Sequence, residues 1–484
     1  MSKNAKENLN KRSLTVSDFL NNPRVTACLA KIKKSDLTVS DVVDNDGHQY
    51  VNLVQKGGGV LGVALVGYVY ILEQAGIRFL KLAGTSAGAI NTSLMAIQED
   101  KSKAKSDYLI QALADLDMFR LVDGHPFAKL VIRNLVKEPD FIKRVRKLLK
   151  QFAVAMAILL LLAFFLLGLQ HKFPQLSFIT TPVFILIGVF SLLAILAGIY
   201  AQSILQRLKN AGFGINPGDF FYDWVKKHMT DNNIITVEDL VNRAQTTPPL
   251  KMANGRTENT DDLKGDVVFI ASELVTQNKF ELPGMAGLFR TNDAMHELQP
   301  AGFVRASMSI PIFFESYYIK DIPIENDAIA QLWKEKFNVQ SPPHIVRFVD
   351  GGILSNFPIN LFYNKDVNLP RLPTFGIDLD DSKPQDKNNQ PDDWSFTGYV
   401  GRMFNTVRFY YDKDFSLKNK MMNLGVGKVP VSEYNWLNFF LNNEQKIDLF
   451  AKGAEAATQF LESFDWEEYK GKRQDYFQSV KPNP

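Results

Sequence analysis

The chain has one cysteine, Cys28, among 484 residues. A single thiol allows no internal disulfide and no thiolate metal cage, so its place is that of a small apolar residue. Charge of one sign is also missing: 55 Lys and Arg against 52 Asp and Glu leave a formal +3. For a chain of this length that is too little to bind nucleic acid by bulk electrostatics. The opening stretch MSKNAKENLNKRSLTVSDFL is charged and has no apolar run of the kind a secretory signal needs, so this end is expected in the cytoplasm. No internal repeat and no cluster of metal-ligating residues is visible, and neither a metal nor a cofactor is expected.

Apolar residues are plentiful. They make up 46% of the chain, with 12% aromatic, which excludes a disordered polypeptide and leaves a globular or membrane-associated one. Residues 152–169, FAVAMAILLLLAFFLLGL, form eighteen positions without a charge. As a helix they span about 27 Å, close to the roughly 30 Å of a bilayer's hydrocarbon layer. Residues 178–201, FITTPVFILIGVFSLLAILAGIYA, are also uncharged, and only QHKFPQLS separates the two runs. Buried helices of a soluble core normally keep a polar stripe, and neither run has one. Twelve Leu, Ile, Val or Phe in the first run favour insertion by about 4 to 7 kcal/mol. Lys143, Arg144, Arg146, Lys147 and Lys150 precede the pair, and Arg207 and Lys209 follow it, whereas the connection carries Lys172. The expected topology is a two-span hairpin with both flanks cytoplasmic.

Around this hairpin the pattern alternates. VNLVQ (51–55) and RFLKLAG (78–84) read as strands, LGVALVGYVYILEQAG between them as a helix, and TSAGAINTSLMAI as a buried helix. DVVFIASEL (266–274), HIVRFVDGG (344–352) and LPTFGIDLD (372–380) are further strand-like runs, which together predict an α/β fold with a mainly parallel sheet. The polar stretches 251–264 and 380–393 read as surface loops. Residues 395–484 are rich in aromatics and helix formers, with an amphipathic helix in NNEQKIDLFAKGAEAATQFLESF.

Chemistry is suggested by glycine-dense turns. Gly57, Gly59 and Gly62 have the spacing of a dinucleotide-binding loop, but such a turn equally suits an acyl oxyanion. A dinucleotide site needs an acidic residue about twenty positions on, at the end of the second strand; here Leu82-Ala83-Gly84 leads into a serine. Gly84-Thr85-Ser86-Ala87-Gly88 follows that strand and opens a helix, which is the context of a nucleophile elbow. The helix amides would favour negative charge developing at Ser86. The six histidines are His48, His125, His171, His228, His296 and His344. Neither His296 nor His344 has a surrounding motif, and either as base in another chain order stays open beside a histidine-free mechanism. Asp350 ends an apolar strand before Gly351-Gly352, and alone it reads as a tight turn.

Taken together, Gly57-Gly58-Gly59 with Gly62, then Gly84 to Gly88, then Asp350-Gly351-Gly352 followed by Asn356 and Pro358, resemble the three blocks of the patatin-like phospholipases in their usual order. RASMSIPIFFE (305–315) and FIASELVTQNKFEL (269–282) are similar to two further blocks. The resemblance covers roughly residues 51–380, with the hairpin as an insertion. It implies a three-layer α/β/α sandwich and a lipid acyl hydrolase with Ser86 as nucleophile, Asp350 as base and Gly57, Gly58 and Gly59 as the oxyanion hole. Where the family commonly has a basic residue, this chain has Leu61, with Lys56 nearby on the other side of the glycines.

The expected organisation is an amino-terminal segment (1–45), a first catalytic part (46–142), a basic flank with the hairpin (143–209), a second catalytic part (210–380) and a mainly helical end (381–484). The expected partners are a membrane lipid substrate and the bilayer, in a bacterial inner membrane, without nucleic acid. A catalytically silent lipid-binding or scaffold protein is the alternative. Phe313, Phe314 and YNWLNFFL (434–441) are read first as core packing and second as an acyl path.

Overall fold

A computed structural model describes residues 12–34, 37–124, 141–210, 212–253, 255, 257–364, 367–381, 399, 403, 406, 410, 412–415 and 417–480. His125 and most of the polar stretch 380–393 fall outside the described residues. The chain divides into two compact units, Met1–Asp123 with Gly218–Pro484, and Gly124–Pro217.

The first unit is built on a mixed, mostly parallel sheet. Its strands of three residues or more, in chain order, are β1 (Gln49–Gln55), β2 (Ile77–Thr85), β3 (Asp266–Glu273), β4 (Lys279–Leu282), β5 (Tyr317–Ile319), β6 (Val346–Asp350), β7 (Thr374–Asp380) and β8 (Val426–Pro430). The main path runs β8-β7-β1-β2-β3-β6-β5, with β4 paired to β3. Pairings from β8 to β3 are parallel, and β3–β4, β3–β6 and β6–β5 are antiparallel. The central strands are covered on both faces, so β1 is buried from Tyr50 to Gln55. That is why these runs read as continuous apolar stretches rather than as alternation.

Helix α1 (Val63–Gln74) links β1 to β2, and α2 (Ala87–Ala96) leaves β2 directly. Val54, Ala83, Val268 and Ile270 of β1, β2 and β3 share a core cluster with Phe357, Ile359 and Met422, all from beyond the strands themselves. Later in the chain come α5 (Pro300–Ser307) and α6 (Asn443–Ser463). A capping box in which Asn442 and Gln445 satisfy each other's backbone amides starts α6, as a polar residue two or three places before an apolar periodic run leads one to expect.

In the second unit, α3 (Phe141–Gln170) and α4 (Ser177–Asn210) are joined by a tight connection with one 3-10 turn, Pro174–Leu176. The Lys172 and Phe173 amides both donate to the Leu169 carbonyl at 2.9 Å, which closes the end of α3. Phe152 and Phe190 meet edge to face with centroids 5.8 Å apart. Two stretches, Arg146–Gln170 and Pro174–Ile204, are long and apolar enough to cross a membrane. Their side chains point outward: Phe164 is 81% exposed and Phe178 85%.

Candidate active site

The site begins where β2 stops. Ser86 has φ 54° and ψ −120°, a conformation that L-residues seldom adopt and that persists only where the surroundings enforce it. The enforcement is steric. Gly84 and Gly88 lie so close that a Cβ on the first would strike the Gly88 carbonyl, and a Cβ on the second would strike the Gln55 carbonyl at the end of β1. Only glycine at both places lets the chain reverse here. The Ser86 amide donates to Ser307 Oγ at 3.0 Å, and Ser307 Oγ donates to the Ile270 carbonyl at 2.5 Å. The serine therefore stands at the N-cap of α2, 5% exposed.

Asp350 arrives from the opposite direction. Thr85 of β2 lies opposite Ile270, and Asp350 of β6 lies opposite Ala271. Phe269 and Ile270 have β4 on one edge and β2 on the other, while Ala271 and Ser272 have β4 on one edge and β6 on the other. Hence β2 and β6 share one edge of β3 and run into each other end to end. Ser86 and Asp350 are the residues at that meeting point. The Ser86 hydroxyl donates to Asp350 Oδ2 at 2.5 Å, and Asp350 Oδ1 accepts the Gly352 amide at 2.7 Å. A further bond from the Asp350 amide to the Ser309 carbonyl, 2.8 Å, fixes the end of β6.

The sequence placed Asp350 at the end of an apolar strand. The strand is there, but it is antiparallel to its neighbour, and the collision of strand ends brings the residues together.

The glycine turn lies against the same point. A Cβ on Gly57 would meet Asn356 Oδ1 at 2.5 Å and Ser86 Cβ at 3.1 Å. Gly57 is itself fully engaged: its amide donates to the Asn356 carbonyl at 3.0 Å, and Asn356 Nδ2 donates to the Gly57 carbonyl at 3.1 Å. The Gly58 and Gly59 amides have no acceptor among the described residues. Gly59 has φ +54° and faces the Trp436 carbonyl so closely that no Cβ fits; that carbonyl accepts the Val60 amide at 3.0 Å.

Leu61, which stands where a basic residue is common, is completely buried. Lys56 does not replace it, because its ammonium is held by Asp378 Oδ1 at 2.7 Å and the Leu379 carbonyl at 2.9 Å.

Behind the dyad, Arg305 donates to Ser309 Oγ at 2.5 Å and to the Glu315 carbonyl at 2.8 Å. Burial pulls the guanidinium down to about 10, opposed by Asp123, Asp219 and Glu315. Asp412 braces the turn after β6: its Oδ1 accepts Ser355 Oγ at 2.9 Å and its Oδ2 accepts the Asn356 and Phe357 amides at 2.7 Å each. Burial raises the Asp412 carboxyl above its ordinary range, against the pull of those hydrogen bonds and of Lys56.

Ser86 opens onto an apolar cleft of about 100 Å³, lined among others by Val63, Ile90, Leu113, Met308, Phe314 and Phe439. Phe313 stacks on Phe439 at 4.7 Å between centroids. Phe314 and Phe439 are buried, as the core-packing reading expects, and both also line the cleft.

Among the described residues no histidine bonds to the Ser86 hydroxyl. His228 pairs with the Tyr108 hydroxyl at 2.6 Å and His48 with Asp44 at 3.0 Å. Asp44, Asp46 and His48 gather ligand-type atoms within 4.8 Å, but the Asp44 carboxylate is occupied by the Asp46 and His48 amides and the Tyr50 hydroxyl. Ser307 lies in a stretch already singled out by sequence, RASMSIPIFFE. Asp412 carries no local motif by which it would be found, and Trp436 lies in YNWLNFFL, a stretch noticed for its aromatic rings and not for a backbone carbonyl.

The profile of the patatin-like phospholipase family matches residues 53–363. A curated relative, the uncharacterized protein YqhO of Bacillus subtilis, is 24% identical over 418 residues, which is 86% of this chain and 100% of that one. Among solved structures, VipD from Legionella pneumophila is 17% identical and aligns over 89% of this chain and 71% of its own, at a TM-score of 0.33.

Proposed function

The chain belongs to the patatin-like phospholipase family, which places it among lipid acyl hydrolases, and from that premise we propose that it is a membrane-anchored serine hydrolase cleaving fatty-acyl esters of membrane lipids through a dyad of Ser86 and Asp350. The observation that carries this reading is the 2.5 Å hydrogen bond from the strained serine to the aspartate, at the mouth of an apolar cleft.

In this mechanism Asp350 accepts the hydroxyl proton as Ser86 Oγ attacks the ester carbonyl. The Gly352 amide on Oδ1 holds the carboxylate so that Oδ2 faces the serine. The carbonyl oxygen becomes an oxyanion, received by the Gly58 and Gly59 amides, while Gly57, tied on both sides to Asn356, sets the loop. One such donor typically contributes about 2.7 to 4 kcal/mol in the transition state. As the tetrahedral species collapses, Asp350 returns its proton to the departing alkoxide, leaving the acyl group on Ser86. Water, deprotonated by the same carboxylate, then releases the fatty acid and restores the serine. The lining of Val63, Ile90, Leu113, Met308, Phe314 and Phe439 suits an acyl chain.

The anchor in this reading is the α3–α4 hairpin, an insertion between catalytic parts 46–142 and 210–380. Its support is two outward-facing apolar helices. Arg144, Arg146, Lys147 and Lys150 before the spans, with Arg207 and Lys209 after them, support a topology with both flanks and the catalytic parts on the cytoplasmic side, and the membrane in this reading is a bacterial inner membrane.

A fluorophosphonate probe applied to the full-length protein in detergent tests the chemistry. Wild type is expected to label. Ser86→Ala abolishes labelling and lowers ester turnover by at least about 10⁴-fold; Asp350→Asn, which keeps the shape but takes no proton, greatly reduces both. A folded wild type that neither labels nor releases fatty acid from a mixed lipid extract would instead be a silent lipid-binding scaffold.

A further inference from the structure

The family match ends at residue 363, yet the turn that grips the glycine loop is held from beyond it. Ser355, Asn356 and Phe357 all hydrogen-bond to the Asp412 carboxylate. On its other side the same turn touches the reacting residues: the Ser355 carbonyl accepts Thr85 Oγ1 at 3.0 Å, one residue before the nucleophile. Asn356 Oδ1 stands where a side chain on either Gly57 or Gly352 would be, 2.5 Å from each Cβ position. Asn356 thus clamps Gly57 through both its amide and its carbonyl, and Asp412 fixes where Asn356 is.

We propose that Asp412 is a positioning residue for the oxyanion hole, acting through Asn356 on Gly57 and so on the Gly58 and Gly59 amides. The inference rests on the hydrolase reading above. Its physical basis is that a buried amide left without an acceptor costs enough to turn the peptide toward another partner. The 355–357 turn presents two amides to a single oxygen, so removing that oxygen releases the turn at the residue that grips Gly57. A displacement of about 1 Å at the oxyanion donors is worth on the order of 100-fold in turnover. Substrate binding in the cleft does not pass through this chain of bonds, so kcat and KM separate.

The role is one of hydrogen-bond geometry rather than charge. An asparagine at 412 still accepts both amides with its carbonyl and donates its amide to Ser355 Oγ, so Asp412→Asn is the conservative variant.

The test uses full-length protein in detergent with a p-nitrophenyl fatty-acyl ester. Asp412→Ala is expected to lower kcat about 100-fold with KM nearly unchanged, and to weaken binding of a trifluoromethyl ketone, whose tetrahedral adduct uses the oxyanion hole, in parallel with kcat. Asp412→Asn stays within a few-fold of wild type. Asn356→Ala, which keeps the backbone bond to Gly57 but loses the side-chain one, falls about tenfold. The double variant Asp412→Ala/Asn356→Ala is no slower than Asp412→Ala alone, because both act on one linkage.

Wild-type kcat in Asp412→Ala overturns the proposal, as does Asp412→Asn as impaired as the alanine variant, or losses that multiply in the double variant. Should Asp412→Ala fail to fold, the asparagine variant and Asn356→Ala decide: wild-type kcat in Asn356→Ala overturns the linkage. A wild type without turnover or labelling defeats the hydrolase reading itself, whereas an active wild type indifferent to residue 412 defeats only the positioning role.

Discussion

Helix α1 and the helices of the 141–210 segment are built from similar residues, Val, Leu, Ile, Ala, Gly and aromatics, but they are solvated in opposite ways. Every residue of α1 from Val63 to Glu73 is buried. In α3 and α4, Leu161, Phe164, Ile185 and Ile195 are each more than half exposed.

Glycine records the difference most clearly. A Cβ on Gly67 of α1 would strike the Phe450 carbonyl of α6, and a Cβ on Gly453 of α6 would strike the Ala64 carbonyl of α1. These two helices touch backbone to backbone, and each glycine makes room for the other. Gly168, Gly188 and Gly198 of the hairpin have nothing within 4 Å. Apolar composition states only that water must be excluded; the neighbours state what excludes it. For α1 that is α6. For α3 and α4 the proposed medium is lipid.

The largest effect that would break this comparison comes from deleting residues 152–201 behind a short linker. The full chain is expected in the membrane pellet after alkaline wash, and the shortened chain in the supernatant; a shortened chain that still pellets with lipid would show that the hairpin is not the main anchor. A smaller effect sharpens it. Gly67→Ala forces two helix backbones apart and should destabilise the protein by about 1 to 3 kcal/mol, read as a lower thermal midpoint in detergent. Gly188→Ala should change it by no more than about 0.5 kcal/mol, and equal shifts for the two would remove the distinction.

A third effect concerns pH and belongs to the first unit alone. Lys101 donates to the Leu80 and Ala244 carbonyls at 2.7 and 2.5 Å, and burial draws its ammonium down to about 7. Burial draws Lys105 down to about 8. In the unfolded chain both return to about 10.4, so between pH 7 and 10 the unfolded state binds protons that the folded state does not. The contribution of these two lysines to stability rises with pH across that window and levels off at its lowest value below pH 7. Urea midpoints at pH 7 and pH 9 measure the rise. Lys101→Met should remove much of it, and the hairpin-deleted chain should keep it, because Lys101 and Lys105 both lie outside residues 152–201.

The parts of the molecule that were legible in the sequence are those whose cause is local. The runs at 51–55, 78–84, 266–274 and 372–380 are strands, the helix before Gly76 forms, and the amphipathic stretch becomes α6. Gly84 to Gly88 form a strand-to-helix turn because small residues there permit it. Long-range causes stayed hidden. β8 is a short strand, Val426–Pro430, in a stretch read as helical, and it exists because β7 offers it a parallel edge. The antiparallel course of β6 depends on where β2 ends along β3. Asp412 has no motif around it, since its partners are three consecutive residues about 55 positions away whose backbone it satisfies. Phe439 reads as an ordinary core aromatic until its stacking with Phe313 sets it in the cleft wall.

Ser86 and Asp350 are 264 residues apart, and the Trp436 carbonyl that seats Val60 comes later still. During synthesis the ribosome has therefore produced the whole 141–210 segment before the carboxylate partner of the serine exists, and the glycine loop is not seated until translation has passed residue 436. A nascent chain at that stage holds the strained serine without its hydrogen-bond partner, and the two meet only after that segment is complete.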